Sequence, residues 1–217
     1  MILPPADASA APTSNSKLFL YAFSSFTLVS TVLLAPFLVT PALPRRLYGA
    51  LPYQHTPASQ ITKAMSLLRA RLAARSPPPP LSSLSFVDLG SGLGEATIAA
   101  GRLGFGRSHG VEINPTLLLL SRLSSIKAGF SPWTKQVSFR AKNLLTLPLD
   151  KYDCVFMFGV KPLLKTMKPK LTSELRPGSL LLLYRFKLET DMVEGGRFQV
   201  VGKEGELTLY ERTKTNT

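Results

Sequence analysis

Val87-Asp88-Leu89-Gly90-Ser91-Gly92-Leu93-Gly94-Glu95 packs two acids and three alternating glycines into nine residues. Before it stands the apolar run Leu84–Leu89 (LSFVDL), which reads as a short buried strand; after it Ala96–Leu103 reads as a helix. A chain turning this sharply from strand to helix needs residues that accept positive φ, and Gly90 and Gly92 supply them while leaving bare backbone for a ligand. Gly94 lets the helix pack close to the sheet. A dinucleotide-binding turn has the spacing G-x-G-x-x-G and seats a pyrophosphate on the helix N-terminus. Here the third glycine comes one residue sooner, and Asp88 precedes the first. A carboxylate in that place repels pyrophosphate and suits a ligand carrying an amino group.

Outward from this turn the chain alternates strand and helix. Ser108–Ile113, Gln136–Ala141, Cys154–Phe158 and Leu180–Phe186 read as further strands, with helices over Pro115–Ala128 and Leu163–Leu175 between them. Phe198–Val201 and Leu207–Tyr210 read as a closing antiparallel hairpin. Such alternation implies an α/β fold, a mostly parallel sheet with helices on both faces. Glu112 ends the second strand, placed to accept both hydroxyls of a ribose, as an acid does in nucleotide-binding βαβ units. Asn143, just past the third strand, suits an adenine edge or a turn. The single cysteine, Cys154, excludes an intrachain disulfide or a cysteine-based zinc site and reads as an inert core thiol. His55 and His109 have no neighbour at metal-ligand spacing and read as structural; no metal site is expected.

The first 80 residues differ in kind. No charge interrupts Leu18–Leu43, and the run Leu18–Val39 would span roughly 33 Å as a helix, enough for a hydrocarbon core of about 30 Å. It is too long for a signal peptide, and residues 1–16 contain Asp7 and no arginine, unlike a cleaved presequence. A buried helix of a soluble domain would show a polar stripe. The expectation is a retained transmembrane anchor over 18–43 after a flexible stretch 1–17. Arg45 and Arg46 then place the C-terminal part in the cytosol or mitochondrial matrix. Thr56-Pro57 reads as N-cap and first turn of a helix carrying Ile61, Met65, Leu68 and Leu72, and Ser76–Pro80 as a stiff linker. Residues 44–80 thus form a helix-and-linker segment and 81–217 the main domain. Up to Val87, Asp7 is the only acid against seven Lys and Arg, a bias suited to an anionic lipid surface or to a topology signal. The whole 217-residue chain carries +13, which favours anionic partners; no aromatic–basic RNA motif accompanies the charge, and nucleic acid is not expected.

These motifs resemble those of the class I (seven-β-strand) S-adenosylmethionine-dependent methyltransferases. They are most similar to the membrane-anchored mitochondrial lysine methyltransferases that modify the ATP synthase c-subunit and the adenine nucleotide translocase. The resemblance runs from about Pro52 to Tyr210. It rests on Tyr53, Thr56-Pro57, Gln60-Ile61, Met65 and Leu68-Arg69, then Val87–Gly94, Gly110–Pro115, Asn143-Leu144 and Phe158-Gly159-Val160. It implies a Rossmann-like sheet and S-adenosylmethionine as cofactor, with Asp88, Gly90, Gly92 and Gly94 around its methionyl part, Glu112 on its ribose and Asn143 beside its adenine. It also implies an inner-membrane location with the catalytic domain facing the matrix; the cytosolic face of another intracellular membrane is the alternative. Two positions depart from the family pattern. Leu93-Gly94-Glu95 stands where relatives carry Asp-Gly-Arg, and Lys161 stands where they carry Pro.

The implied reaction needs positioning rather than covalent help. A lysine ammonium, with a solution pKa near 10.4, must shed its proton before attack. Aromatic faces stabilise sulfonium and methylated ammonium groups. Tyr53 and Phe158 are the lead candidates to line the substrate path, with Trp133 and Tyr184 behind them; no general base is identifiable. Alternative readings are a methyltransferase for a lipid- or quinone-like small molecule, or a catalytically weak cofactor-binding module, the latter motivated by Leu93 and Glu95.

Overall fold

The computed structural model describes residues 14–39, 55–158 and 161–214. The chain divides into two compact units, Met1–Leu47 and Tyr48–Thr217. In the first, α1 (Ser14–Val39) is a continuous helix whose described side chains are mostly exposed, including Leu18, Phe19, Tyr21, Phe23, Phe26, Leu28 and Val29. Its hydroxyls turn back on the helix, Ser24 Oγ donating to the Tyr21 carbonyl at 3.1 Å and Thr27 Oγ1 to that of Phe23 at 3.0 Å.

Among the described residues no helix is long and apolar enough to cross a membrane. The anchor expected over 18–43 falls in part on residues outside those described. Positions 40–43 lie outside the described residues, as does Tyr53.

In the second unit, α2 (Ala58–Ala73) buries Ile61, Ala64, Met65, Leu68 and Leu72, the stripe its spacing predicts. Pro57 rather than Thr56 is its N-cap, without a side-chain cap. A 3-10 turn over Leu81–Ser83 leads into β1 (Ser85–Leu89), buried at every position. There follow α3 (Glu95–Leu103), β2 (Arg107–Glu112), α4 (Pro115–Lys127), β3 (Val137–Ala141), β4 (Cys154–Met157), α5 (Lys161–Glu174), β5 (Leu180–Tyr184), α6 (Thr190–Glu194), β6 (Phe198–Glu204) and β7 (Leu207–Arg212). The short α6 is not signalled by any periodicity in the sequence.

The seven strands form one sheet in the order β3-β2-β1-β4-β5-β7-β6, parallel except where β7 runs antiparallel between β5 and β6. This is the Rossmann-like, mostly parallel sheet with a closing antiparallel hairpin that the alternation of strands and helices predicts. Alternation along buried strands sends side chains to two cores. Val87, Val111, Val155, Met157 and Leu181 meet Leu164, Met167 and Leu171 of α5 on one face. Phe86, Cys154, Phe156 and Leu182 meet α2 and Phe105 on the other. β5 stops at Tyr184, short of the expected Phe186, because Arg185 takes a left-handed φ of 71° and leaves the extended conformation. The bulge between Val200 and Gly202 lets β6 continue to Glu204, past the expected Val201.

Polar ties pin α2 to the sheet. Glu211 on β7 accepts from Arg71 Nε at 3.0 Å and from Arg75 Nη2 at 2.9 Å. Leu68 is fully buried beneath them, whereas Arg69 on the same helix is exposed. Leu68→Ala should therefore cost about 3 kcal/mol in urea unfolding, through lost transfer energy and a residual cavity. Arg69→Ala should stay within about 0.5 kcal/mol.

Candidate functional site at the carboxyl ends of the strands

β1 delivers Asp88 and Leu89 to the carboxyl edge of the sheet, and the chain turns there through Gly90–Gly94. Two N–H groups, of Gly90 and Ser91, donate to the Val111 carbonyl at 2.9 and 3.0 Å, which fastens the turn to β2. Gly90, Gly92 and Gly94 all adopt positive φ (85°, 51° and 84°). The glycines have different reasons to be glycine. A Cβ on Gly90 would meet nothing within 4 Å, so open space lies against its backbone. At Gly94 a Cβ would strike the Phe139 ring at 2.5 Å and Ser121 Cβ at 2.9 Å, so α3 can leave the turn only along this line.

Three carboxylates surround the turn. Asp88 is 4% exposed and takes a hydrogen bond from Thr97 Oγ1 at 3.4 Å. Burial pushes its pKa up to about 7; the Thr97 hydroxyl opposes the shift, and the charges of Glu112 and Glu95 reinforce it. Glu112, half-buried at the end of β2, accepts three backbone N–H groups: Gly92 at 3.0 Å on Oε2, and Ile113 and Asn114 at 2.8 and 2.9 Å on Oε1. One carboxylate thus joins the glycine turn to the start of α4. Glu95 occupies the first turn of α3, where the helix dipole favours an anion. Its Oε2 lies 3.2 Å from His55 Nδ1. The pattern departure at 95 therefore has a local partner, which sequence reasoning missed because forty positions separate the two residues.

Asn143 is exposed and its Oδ1 accepts the Leu145 N–H at 2.9 Å, so it caps the 3-10 turn Leu144–Thr146. Phe158 follows β4 and is half-buried, with its ring 4.9 Å from that of Tyr184 at an angle of 52°. Tyr184 is buried, which raises its hydroxyl pKa together with the nearby Glu206. Trp133 is a correction to the expected lining. It sits 91% exposed in the turn before β3, at the amino ends of the strands, opposite to the glycine turn. Gly159 and Val160 lie outside the described residues.

The two other singled-out groups take structural places. His109 Nδ1 lies 3.0 Å from the Tyr152 hydroxyl, and burial with Arg140 and Arg107 nearby lowers its pKa to about 4. Cys154 is fully buried and burial pushes its thiol far above the ordinary range. Among the described residues no group of three or more His, Cys, Asp and Glu could hold a metal ion. Asn114 was not singled out from the sequence, yet its Oδ1 caps α4 by accepting from the Thr116 and Leu117 N–H groups at 2.9 and 3.3 Å. The Asn114-Pro115 pair is the signal that could have found it.

An open bare-backbone turn ringed by acids fits a ligand with cationic groups and hydroxyls. S-Adenosylmethionine, with its ammonium, sulfonium and ribose diol, is such a ligand.

The sequence profile described as the ANTKMT methyltransferase domain matches residues 88–193. The ATP synthase C-subunit lysine N-methyltransferase of Caenorhabditis elegans is 32% identical over 150 residues, 69% of this chain and 73% of that one. The protein of the same name from Xenopus laevis is 31% identical over 160 residues, 74% of this chain and 63% of the relative. The adenine nucleotide translocase lysine N-methyltransferase of Mus musculus is 33% identical over 139 residues, 64% and 55% of the two chains. The chain thus spans between 55% and 73% of these relatives. Among solved structures, an RNA methyltransferase from Salinibacter ruber in complex with S-adenosyl-L-homocysteine superposes with a TM-score of 0.60 at 22% identity, covering 76% of this chain and 96% of its own. Magnesium protoporphyrin IX methyltransferase from Synechocystis PCC 6803 does so with 0.54 at 17% identity, covering 78% and 92%. At these identities the superpositions speak to the fold.

The raised pKa of Asp88 predicts a pH dependence of folding. The folded chain keeps this proton up to about pH 7, while an unfolded aspartate releases it near pH 3.9. The folded state therefore binds more protons in that window, and the Asp88 contribution to stability falls as pH rises through it. Thermal unfolding between pH 4 and 7 without ligand should show a shallower decline for Asp88→Asn than for the wild type.

Proposed function

The chain belongs to the family of lysine N-methyltransferases of the ATP synthase c-subunit and the adenine nucleotide translocase, and we propose that, with S-adenosylmethionine as methyl donor, it methylates a lysine of a mitochondrial membrane protein. The ATP synthase c-subunit and the adenine nucleotide translocase, the targets named for its relatives, are the leading candidates. The observation that carries this reading is the acid-ringed turn: Asp88 and Glu112 flank the open backbone at Gly90, on the edge where a parallel sheet presents its ligand.

S-Adenosylmethionine supplies an activated methyl on a sulfonium, so the protein's work is placement and charge. Asp88, ionised, would accept the ammonium of the cofactor, which favours its deprotonation beside a cation. Glu112 would accept the ribose hydroxyls with the lone pairs that three N–H groups leave spare. The Asn143 side-chain amide would lie beside the adenine, at the end of β3. Phe158 would present an aromatic face to the sulfonium and the arriving amine, with Tyr184 packed against it. The substrate lysine would lose its proton through desolvation on entering this edge of the sheet.

Membrane residence is part of the proposal. The charge-free run from Leu18 and the exposed apolar side chains of α1 support attachment to the inner membrane, with the second unit facing the matrix. Tethering would raise the effective concentration of a membrane-bound target without any new contact.

Calorimetry of the full chain with S-adenosylmethionine should give binding that Asp88→Ala or Glu112→Ala weakens at least about tenfold, roughly 1.4 kcal/mol. Unchanged affinity in both variants would overturn the site. Mass spectrometry of mitochondrial membrane proteins with and without the gene should show loss of a methylated lysine on the c-subunit or the translocase. An unchanged spectrum alongside intact cofactor binding would point to the interaction-module or small-molecule reading instead.

A further inference from the structure

α4 covers one edge of the sheet, and only one of its faces is used for that. Leu117, Leu118, Ser121 and Ser125 are buried. On the far side Leu119, Leu123 and Ile126 are 43%, 53% and 51% exposed. At about 100° per residue these three fall within an arc of roughly 60°, a continuous apolar ridge turned to solvent. The turn that follows α4 adds Trp133, 91% exposed and the only tryptophan in the chain. Packing within the domain gives no account of this ridge.

The charges around it have one sign. Arg122 and Lys127 lie on either side of the ridge around the helix, and Lys135 follows Trp133. Between Glu95 and Asp150 the sequence holds seven Lys and Arg and a single acid, Glu112, whose carboxylate is engaged by three backbone N–H groups. None of those seven forms an ion pair among the described residues.

We propose that the Leu119–Leu123–Ile126 ridge with Trp133 and its flanking cations is a docking face for the surface of a bilayer containing anionic lipid. Apolar and indole groups enter the headgroup boundary while Lys and Arg stay at phosphate level, and neither element suffices alone. Charge complementarity selects this occupant. A second copy would bring cations against cations, and a nucleic acid would leave the leucines against phosphates. α4 departs from the end of β2 that carries Glu112, so one end of the docked face begins beside the glycine turn. The face would hold the domain to the membrane by a contact separate from α1, and it stands whether or not the proposed target is correct.

Trp133 reports on this face directly, since α1 contains no tryptophan. The full chain should be titrated with vesicles of one part phosphatidylserine to two parts phosphatidylcholine, with and without brominated acyl chains. The expected result is a blue shift of Trp133 emission and quenching by the brominated lipid, both lost at high salt. Leu123→Gln/Ile126→Gln and, separately, Arg122→Gln/Lys127→Gln/Lys135→Gln should each weaken the half-saturation point by roughly tenfold. S-Adenosylmethionine affinity should be unchanged in both, which keeps this test apart from that of the cofactor site. Unshifted emission while the chain cosediments with vesicles would overturn the proposal. So would an equal shift with pure phosphatidylcholine, or a shift with protein concentration in the absence of lipid, which would identify a second copy as the occupant.

Discussion

The attachment of the glycine turn to β2 is the constraint from which the rest of the site follows. Two N–H groups of the turn share the Val111 carbonyl, and a third, from Gly92, reaches the Glu112 carboxylate. A parallel sheet leaves the carboxyl ends of adjacent strands as open backbone, and this chain closes that opening with its own turn. Because the turn is held, the charge of Glu112 acts on Asp88 although 24 positions separate them in the sequence. Because Gly94 and Gly110 lack side chains, the Phe139 ring can fill the gap behind the turn; a Cβ on Gly110 would meet that ring at 2.4 Å.

The electrostatics of the site run against those of the chain. In a protein of net charge +13, three of its 13 acids gather around one loop. Burial makes this costly for Asp88, whose raised pKa expresses the difficulty of ionising beside Glu112 and Glu95. Such a cluster persists more readily where a cationic ligand relieves it. Glu95 has a further support, the N-terminal dipole of α3 and the His55 ring, so a position that departs from the family pattern is locally satisfied.

The positive excess lies elsewhere, in part on the β2–α4–β3 edge. There the cations are exposed and bordered by apolar side chains, whereas the paired cations Arg71 and Arg75 serve α2 and the sheet. Cations that pair with buried or half-buried acids contribute to folding. Those that do not remain available to an outside anion.

The strand positions, the parallel sheet, the glycine turn and its two flanking acids were legible in the linear chain. Each is written locally, in apolar runs of strand length, in glycines where φ must be positive, and in polar residues ending an apolar run. The limits of β5 and β6 were not, since they depend on a left-handed Arg185 and a bulge near Val200 that arise from pairing with β7. Nor was the fate of single aromatics: Phe158 and Trp133 look equally apolar in sequence, yet one ends a central strand and the other caps an outer turn. The His55–Glu95 pair and the three N–H groups on Glu112 likewise required the folded chain. Composition and spacing along a strand or helix carry local geometry, but only packing determines which side chains from distant segments come within a hydrogen bond of one another.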